Sequence, residues 1–156
     1  MCYEMGIEGE AEKDYDKALQ LYEKSAKMEF LPAMMRLANL LFKIGKEEKF
    51  LNGVEVDQQE YFHQCQNWLR MVLHKSEYNG EACYLMGQLY LEGYSVDQNF
   101  EYAFNYFEKA RISEYYKAYT ALGNIYFQGI ASRPNYLQEK VTVFSLLSKQ
   151  FEVKQN

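Results

Sequence analysis

The stretch ACYLMGQLYLEG at residues 82–93 superimposes without a gap on AYTALGNIYFQG at residues 118–129. Each segment begins with alanine, has methionine or leucine followed by glycine in its middle, then tyrosine, and ends on a second glycine. The offset between the two is 36 residues, and a looser copy begins at Ala33. Self-similarity with a period of this length is the signature of a repeat protein. The sequence therefore predicts a chain of stacked structural repeats.

A second shared pattern lies between these copies. The segment YDKALQLYEKSA at residues 15–26 matches FEYAFNYFEKAR at residues 100–111, residues 61–71 are a third version, and residues 135–149 are a degenerate fourth. In both patterns apolar residues recur at spacings of three and four, which is typical of one face of a helix. The chain is thus predicted to alternate A helices, which carry the first pattern, with B helices, which carry the second, in antiparallel hairpins.

Small and bulky residues alternate in a way that predicts close helix packing. Gly87 and Gly123 let neighbouring helices approach, while Tyr90, Phe107 and Tyr126 fill the space between them. A hairpin of this kind cannot bury its apolar face alone, so its stability depends on the stacking of neighbouring repeats.

Four residues are predicted to mark helix ends. Gly93 sits where a left-handed cap favours a residue without a Cβ atom. Asp57 and Asp97 are placed to cap the B helices that follow them. Pro32 fits the first turn of an A helix, where its missing N–H costs nothing.

The composition is that of an ordinary soluble globular protein, with 48% hydrophobic and 25% charged residues in a chain of 156. The net charge of −5 provides no basic surface for phosphate, so nucleic acid is not an expected partner. The sequence has no apolar run long enough for membrane insertion and no secretory signal at its start. Cys2, Cys65 and Cys83 form no CxxC pair, which favours a cytoplasmic or other reducing soluble compartment.

The two patterns together resemble the Sel1-like repeat, a relative of the tetratricopeptide repeat. The matching signature is Ala-x3-Leu-Gly-x2-Tyr-x2-Gly followed by Lys-Ala-x2-aromatic-aromatic-x-Lys-Ala. The resemblance implies an all-α fold, a right-handed α-α superhelix (solenoid) of about three and a half antiparallel helix hairpins. We expect one domain over residues 1–156, with approximate repeats at 3–30, 31–77, 80–113 and 116–150.

The resemblance also implies a function. It predicts a protein–protein interaction scaffold or adaptor that binds a partner protein or peptide through the concave face, with no enzyme activity, cofactor or metal of its own. The alternative is a non-catalytic docking or regulatory region of a larger enzyme such as a kinase, or a structural subunit of a large assembly. Homo-oligomers that form through the solenoid ends are a further expectation.

Few residues offer catalytic or metal-binding chemistry. His63 and His74 fall in one predicted B helix, about 16 Å apart along its axis, so one metal ion cannot reach both. Cys65 occupies a small-residue packing position and is predicted to be an inert buried thiol, with Cys83 partly buried. These residues predict structural roles rather than a reactive site.

One set of side chains recurs at fixed positions of the A helices. Asn39, Gln88 and Asn124 each lie six residues after the first alanine of the pattern. An amide both donates and accepts hydrogen bonds, which suits the backbone of an extended peptide. The alternative is that the amides are solvated surface residues. With the neighbouring positions, the predicted partner-binding set is Asn39, Phe42, Tyr84, Gln88, Leu91, Thr120, Asn124 and Phe127.

An insertion interrupts the repeat between Gly45 and Gln58. Ala33 precedes Ala82 by 49 residues, 13 more than the repeat length. The insertion is predicted to be an extra loop that mixes charges with Phe50, Leu51 and Val54. Insertions in repeat proteins often map to one functional face, although passive expansion of a loop fits equally.

Overall fold

The computed structural model describes residues 14–51 and 53–128. Within them the chain forms six helices and a short β-hairpin, and the predicted all-α architecture is confirmed. In chain order the elements are α1 (Tyr15–Lys27), α2 (Leu31–Glu47), β1 (Phe50–Leu51), β2 (Val54–Glu55), α3 (Gln58–Lys75), α4 (Gly80–Glu92), α5 (Phe100–Ile112) and α6 (Tyr116–Gln128). The B pattern lies on α1, α3 and α5, and the A pattern on α2, α4 and α6.

Two predictions lie outside the described residues, as does Cys2. They are the degenerate B helix at residues 135–149 and the outer end of the first repeat before residue 14.

The described helices fall into two compact units that divide between Lys75 and Ser76. In the first unit α2 packs against both α1 and α3. Its core holds Leu40 and Ile44 from α2 with Tyr15 from α1 and Val56 from the loop before α3. In the second unit α5 packs against both α4 and α6. Phe107 of α5 is fully buried at its centre.

Helix ends largely follow the sequence signals. Pro32 lies in the first turn of α2, and the Asp57 carboxylate accepts from the backbone N–H groups of Gln59 and Glu60 at 3.1 and 3.2 Å. Gly93 closes α4 in the left-handed conformation, with φ of 75°.

The predicted cap at Asp97 is wrong. Helix α5 begins at Phe100, and Asn99 caps it by accepting from the N–H of Tyr102 at 3.0 Å. The Asn99 N–H also donates to the carbonyl of Tyr90 at 2.9 Å. This second bond ties the start of α5 to the end of α4, so the cap falls two residues beyond the aspartate.

The insertion is not the continuous loop that was predicted. Gly45 belongs to α2, which runs on to Glu47, and Gln58 already opens α3. Between the helices β1 and β2 pair antiparallel, with Leu51 opposite Val54. Gly53 makes the turn in the left-handed region at φ 79°, which a residue without Cβ adopts at no steric cost.

Two glutamates occupy the left-handed region that usually selects glycine. Glu29 follows α1 and Glu114 follows α5, with φ of 61° and 57°. Both lie just past a helix end, and the Glu114 N–H donates to the carbonyl of Arg111 at 2.8 Å. A side chain with a Cβ atom is strained in this conformation by about 1–2 kcal/mol. The same strain is therefore present in both units, in each case two residues after the end of a B helix.

We expect Glu114→Gly to raise the free energy of unfolding by about 0.5–1 kcal/mol, because glycine removes the strain but gains more freedom on unfolding. The control is Glu114→Ala, which removes the same carboxylate but keeps the Cβ atom in the left-handed conformation. Urea unfolding followed by circular dichroism measures both variants. Equal stability of the glycine and alanine variants would contradict the argument.

Candidate functional site

A groove of about 350 Å³ runs between α4 and α6 in the second unit. Its lining includes five of the eight residues predicted to bind a partner, namely Tyr84, Gln88, Leu91, Thr120 and Asn124. The remaining lining residues are Glu92, Lys117, Ala121, Ile125 and Gln128. The groove therefore brings together the predicted positions of two consecutive A helices.

The two helices that flank the groove run parallel. Each is antiparallel to α5, to which a short connection joins it. Their starts lie side by side, since the ring centroids of Tyr84 and Tyr115 are 5.4 Å apart. A Cβ atom on Gly80 would lie only 2.8 Å from the Cβ atom of Tyr115. The starts of α4 and α6 therefore lie next to each other at one end of the groove.

The groove combines an apolar floor with a polar rim. Ala121 and Ile125 are buried, while Thr120 and Asn124 are exposed and Gln88 is half-buried. The floor can cover an apolar side chain, and the amides can pair with a peptide backbone as donors and acceptors. This arrangement is suited to binding an extended chain.

The tyrosines at the start of the groove keep their protons. Burial, which is the larger cause, and the nearby Tyr116 raise the pKa of Tyr84. Burial followed by the negative charge of Glu81 raises the pKa of Tyr115 to about 12. Tyr84 lines the groove, and its hydroxyl can donate or accept a hydrogen bond.

The other three predicted residues lie elsewhere. Asn39 and Phe42 are on α2 in the first unit, where the Asn39 Nδ2 donates to the Met35 carbonyl of its own helix at 2.9 Å. The rings of Phe42 and Phe62 pack edge to face, with their centroids 5.6 Å apart. Phe127 is 87% exposed and is not among the groove-lining residues. The role of all three in partner binding stays a prediction.

Sequence reasoning missed Lys117, Glu92 and Gln128. Gln88 and Glu92 are four residues apart on α4, as are Asn124 and Gln128 on α6, so each pair shares a helix face. Lys117 lies three residues before Thr120 on the same face of α6. Extending the repeated positions by one helical turn in each direction would have found all three.

Cys65 and Cys83 are both buried, as predicted for Cys65. Burial raises the pKa of the Cys65 thiol to about 12, and its Sγ donates to the Ala38 carbonyl at 3.2 Å. Cys83 is fully buried rather than partly, and burial raises its pKa to about 11. A thiol that stays protonated is a poor nucleophile and a poor metal ligand.

The histidines are both on α3, as the pattern predicted, and both are exposed. In the part of the chain that the structure describes, no three histidine, cysteine, aspartate or glutamate side chains come together as a metal-binding group.

A second hollow lies beside the β-hairpin and is lined by residues between Lys49 and Gln59. Phe50 and Val54 of the hairpin are 64% and 69% exposed. These side chains are available for contacts, and a functional role of the insertion stays a prediction.

The repeated hairpins and the groove between two A helices define a class, the α-helical repeat proteins. The chain belongs to the Sel1 repeat family, whose pattern matches residues 1–30, 80–111 and 117–138, together more than half of the sequence. Sel1 repeat proteins are generally protein-interaction scaffolds. No curated protein matches this chain.

Two solved structures are similar to this chain. A Sel1 repeat protein from Oxalobacter formigenes is 25% identical with a TM-score of 0.57, covering 82% of this chain and 45% of its own. A protective antigen of uropathogenic Escherichia coli strains, which displays an SLR fold, is 22% identical with a TM-score of 0.67, covering 99% and 32%. The chain spans less than half the length of either protein, and their folds confirm the α-solenoid class.

Membrane insertion was not expected from the sequence. Within residues 14–51 and 53–128, no helix has the length and apolar character needed to cross a bilayer.

Proposed function

We propose that this protein is an interaction scaffold that binds an extended segment of a partner protein in the groove between α4 and α6. The observation that carries the proposal is the convergence of Tyr84, Gln88, Thr120 and Asn124 on one groove. Their positions recur in the repeat, so the same chemistry is presented at matching heights on both walls.

The groove chemistry supports a peptide rather than a small metabolite as the ligand. Gln88 and Asn124 each offer a carbonyl and an NH₂ group, which match the alternating acceptors and donors of an extended backbone. Ala121 and Ile125 of the groove lining are buried, and the other eight lining residues are exposed or half-buried. Small-molecule sites usually enclose most of their ligand's surface.

The double variant Gln88→Ala/Asn124→Ala tests the proposal. Each lost hydrogen bond contributes about 0.5–1.5 kcal/mol, so we expect partner capture to fall by about five- to a hundredfold. The measurement is affinity purification from native cells, with quantitative comparison of the proteins that the wild type and the variant recover.

A matched control keeps the comparison specific. Asn67→Ala/Asn105→Ala removes two exposed amides from the B helices α3 and α5 and should leave capture unchanged. Circular dichroism confirms that both variants fold. Equal recovery of every partner by the wild type and the groove variant would refute binding through these amides.

A further inference from the structure

The groove between α4 and α6 carries opposite charges at its two ends. Lys117 is the second residue of α6, and Glu92 is the last residue of α4. Because the two helices run parallel and the repeat offset is 36, Glu92 lies level with Gln128 at the other end of α6. The 11 residues from Lys117 to Gln128 span about 16 Å along the helix.

Neither Lys117 nor Glu92 forms an ion pair within the described part of the chain. The ion pairs of the second unit join Lys109 to Glu77 at 3.1 Å and Arg111 to Glu108 at 2.8 Å. The Lys117 ammonium lies 5.8 Å from the centroid of the Tyr116 ring.

Lys117 and Glu92 are the charged residues that line the groove. Glu81 is level with Lys117 on α4 and does not line the groove, and its negative charge helps to raise the pKa of Tyr115. The remaining lining residues are uncharged, so the groove has one positive end, one negative end and amides between them.

We propose that the occupant of this groove is an extended segment with one acidic and one basic side chain about five residues apart. An extended chain advances about 3.3 Å per residue, so five residues cover the rise of about 16 Å along the groove between the levels of Lys117 and Glu92. The acidic side chain lies against Lys117 and the basic side chain against Glu92. Uncharged residues between them cover Ile125 and pair with the two amides. The inference rests on the proposed function and specifies its ligand.

Four pooled libraries of synthetic ten-residue peptides test this assignment. Positions 3 and 8 carry Asp/Arg, Arg/Asp, Asp/Asp or Arg/Arg, and the other positions are randomised over uncharged residues. Immobilised wild-type protein should retain a mixed-charge pool about two- to fivefold better than either same-charge pool, the range expected for one solvent-exposed charge pair. High salt should flatten this preference by screening. The better of the two mixed orders gives the direction of the bound chain.

Charge reversal provides the sharper measurement. The Lys117→Glu variant should prefer the Arg/Arg pool, and Glu92→Lys should prefer the Asp/Asp pool, each by about two- to fivefold. Lys17→Glu and Glu101→Lys make the same changes of net charge on exposed residues of α1 and α5, and both should keep the wild-type preference.

The outcomes separate this inference from the proposed function. If the Gln88→Ala/Asn124→Ala variant loses peptide retention while charge reversal leaves the preference unchanged, the charge assignment alone is overturned. If that variant retains all pools as well as the wild type, or if the wild type retains none at millimolar peptide, both proposals fail. Thermal unfolding of each reversed variant shows that it is folded when measured.

Discussion

Replacing Gly87 with alanine should lower the free energy of unfolding by about 1–3 kcal/mol, the usual cost of overpacking a well-packed core. A Cβ atom on Gly87 would lie 2.6 Å from Cε1 of Phe107 and 2.7 Å from its Cδ1. Phe107 is fully buried, and its ring also lies 5.7 Å from that of Tyr84, so it has little room to move. The clash therefore outweighs the gain of about 1 kcal/mol that alanine brings to a helix interior.

A double-mutant cycle with Phe107→Leu isolates this contact. Leucine removes the ring atoms that the new methyl group meets. The loss of the ring also lowers the free energy of unfolding by itself. We expect the double variant Gly87→Ala/Phe107→Leu to be more stable than the sum of the single changes predicts, by about 1 kcal/mol or more. Urea unfolding of the four proteins gives the coupling energy. Strict additivity would show that α4 and α5 do not meet through this pair.

The second large effect is expected at Gln66 in the first unit. Its side chain is 2% exposed, and its Nε2 donor has no hydrogen-bond partner among the described residues. A buried donor without a partner costs about 1–3 kcal/mol, so Gln66→Met should raise the free energy of unfolding by a similar amount. Methionine keeps the length and flexibility of the glutamine side chain without its polar atoms.

Two further variants test that explanation. Gln66→Glu should lower the stability by about 3 kcal/mol or more, since it places an uncompensated carboxylate in the same surroundings. Asn67→Met, at the neighbouring exposed position of α3, should change the stability by no more than about 0.5 kcal/mol. A methionine variant at position 66 no more stable than the wild type would mean that the amide finds a partner in solution.

The repeat pattern was sufficient to predict the helices. Residues such as Ala82, Met86 and Leu122 recur on one helix face, and burying that face requires the helices that the structure contains. The cap at Asp97 could not be predicted in the same way. Asp97 and Asn99 are both good capping residues, and the bond from the Asn99 N–H to Tyr90 decides between them. That contact joins two helices, so the residues next to Asp97 and Asn99 in the sequence do not predict it.

The candidate site was predictable only in part, for a similar reason. Gln88 and Asn124, which occupy equivalent positions of the repeat, line one groove in the structure. The same counting assigned Asn39 to the equivalent position of an earlier repeat. In the structure the Asn39 Nδ2 group donates to the Met35 carbonyl of its own helix. The two-residue strands of the hairpin are too short to show the alternation that identifies a strand. Side-chain orientation and short strands depend on local geometry that residue types alone do not specify.

The buried thiols make the molecule convenient for site-specific chemistry. Maleimide dyes require a thiolate and an open path, and Cys65 and Cys83 provide neither. In a chain with Cys2 replaced, a cysteine introduced at the exposed Thr120 would therefore take up the dye selectively. A fluorophore attached there would sit on the wall of the groove and report its occupation directly, with the native interior left untouched.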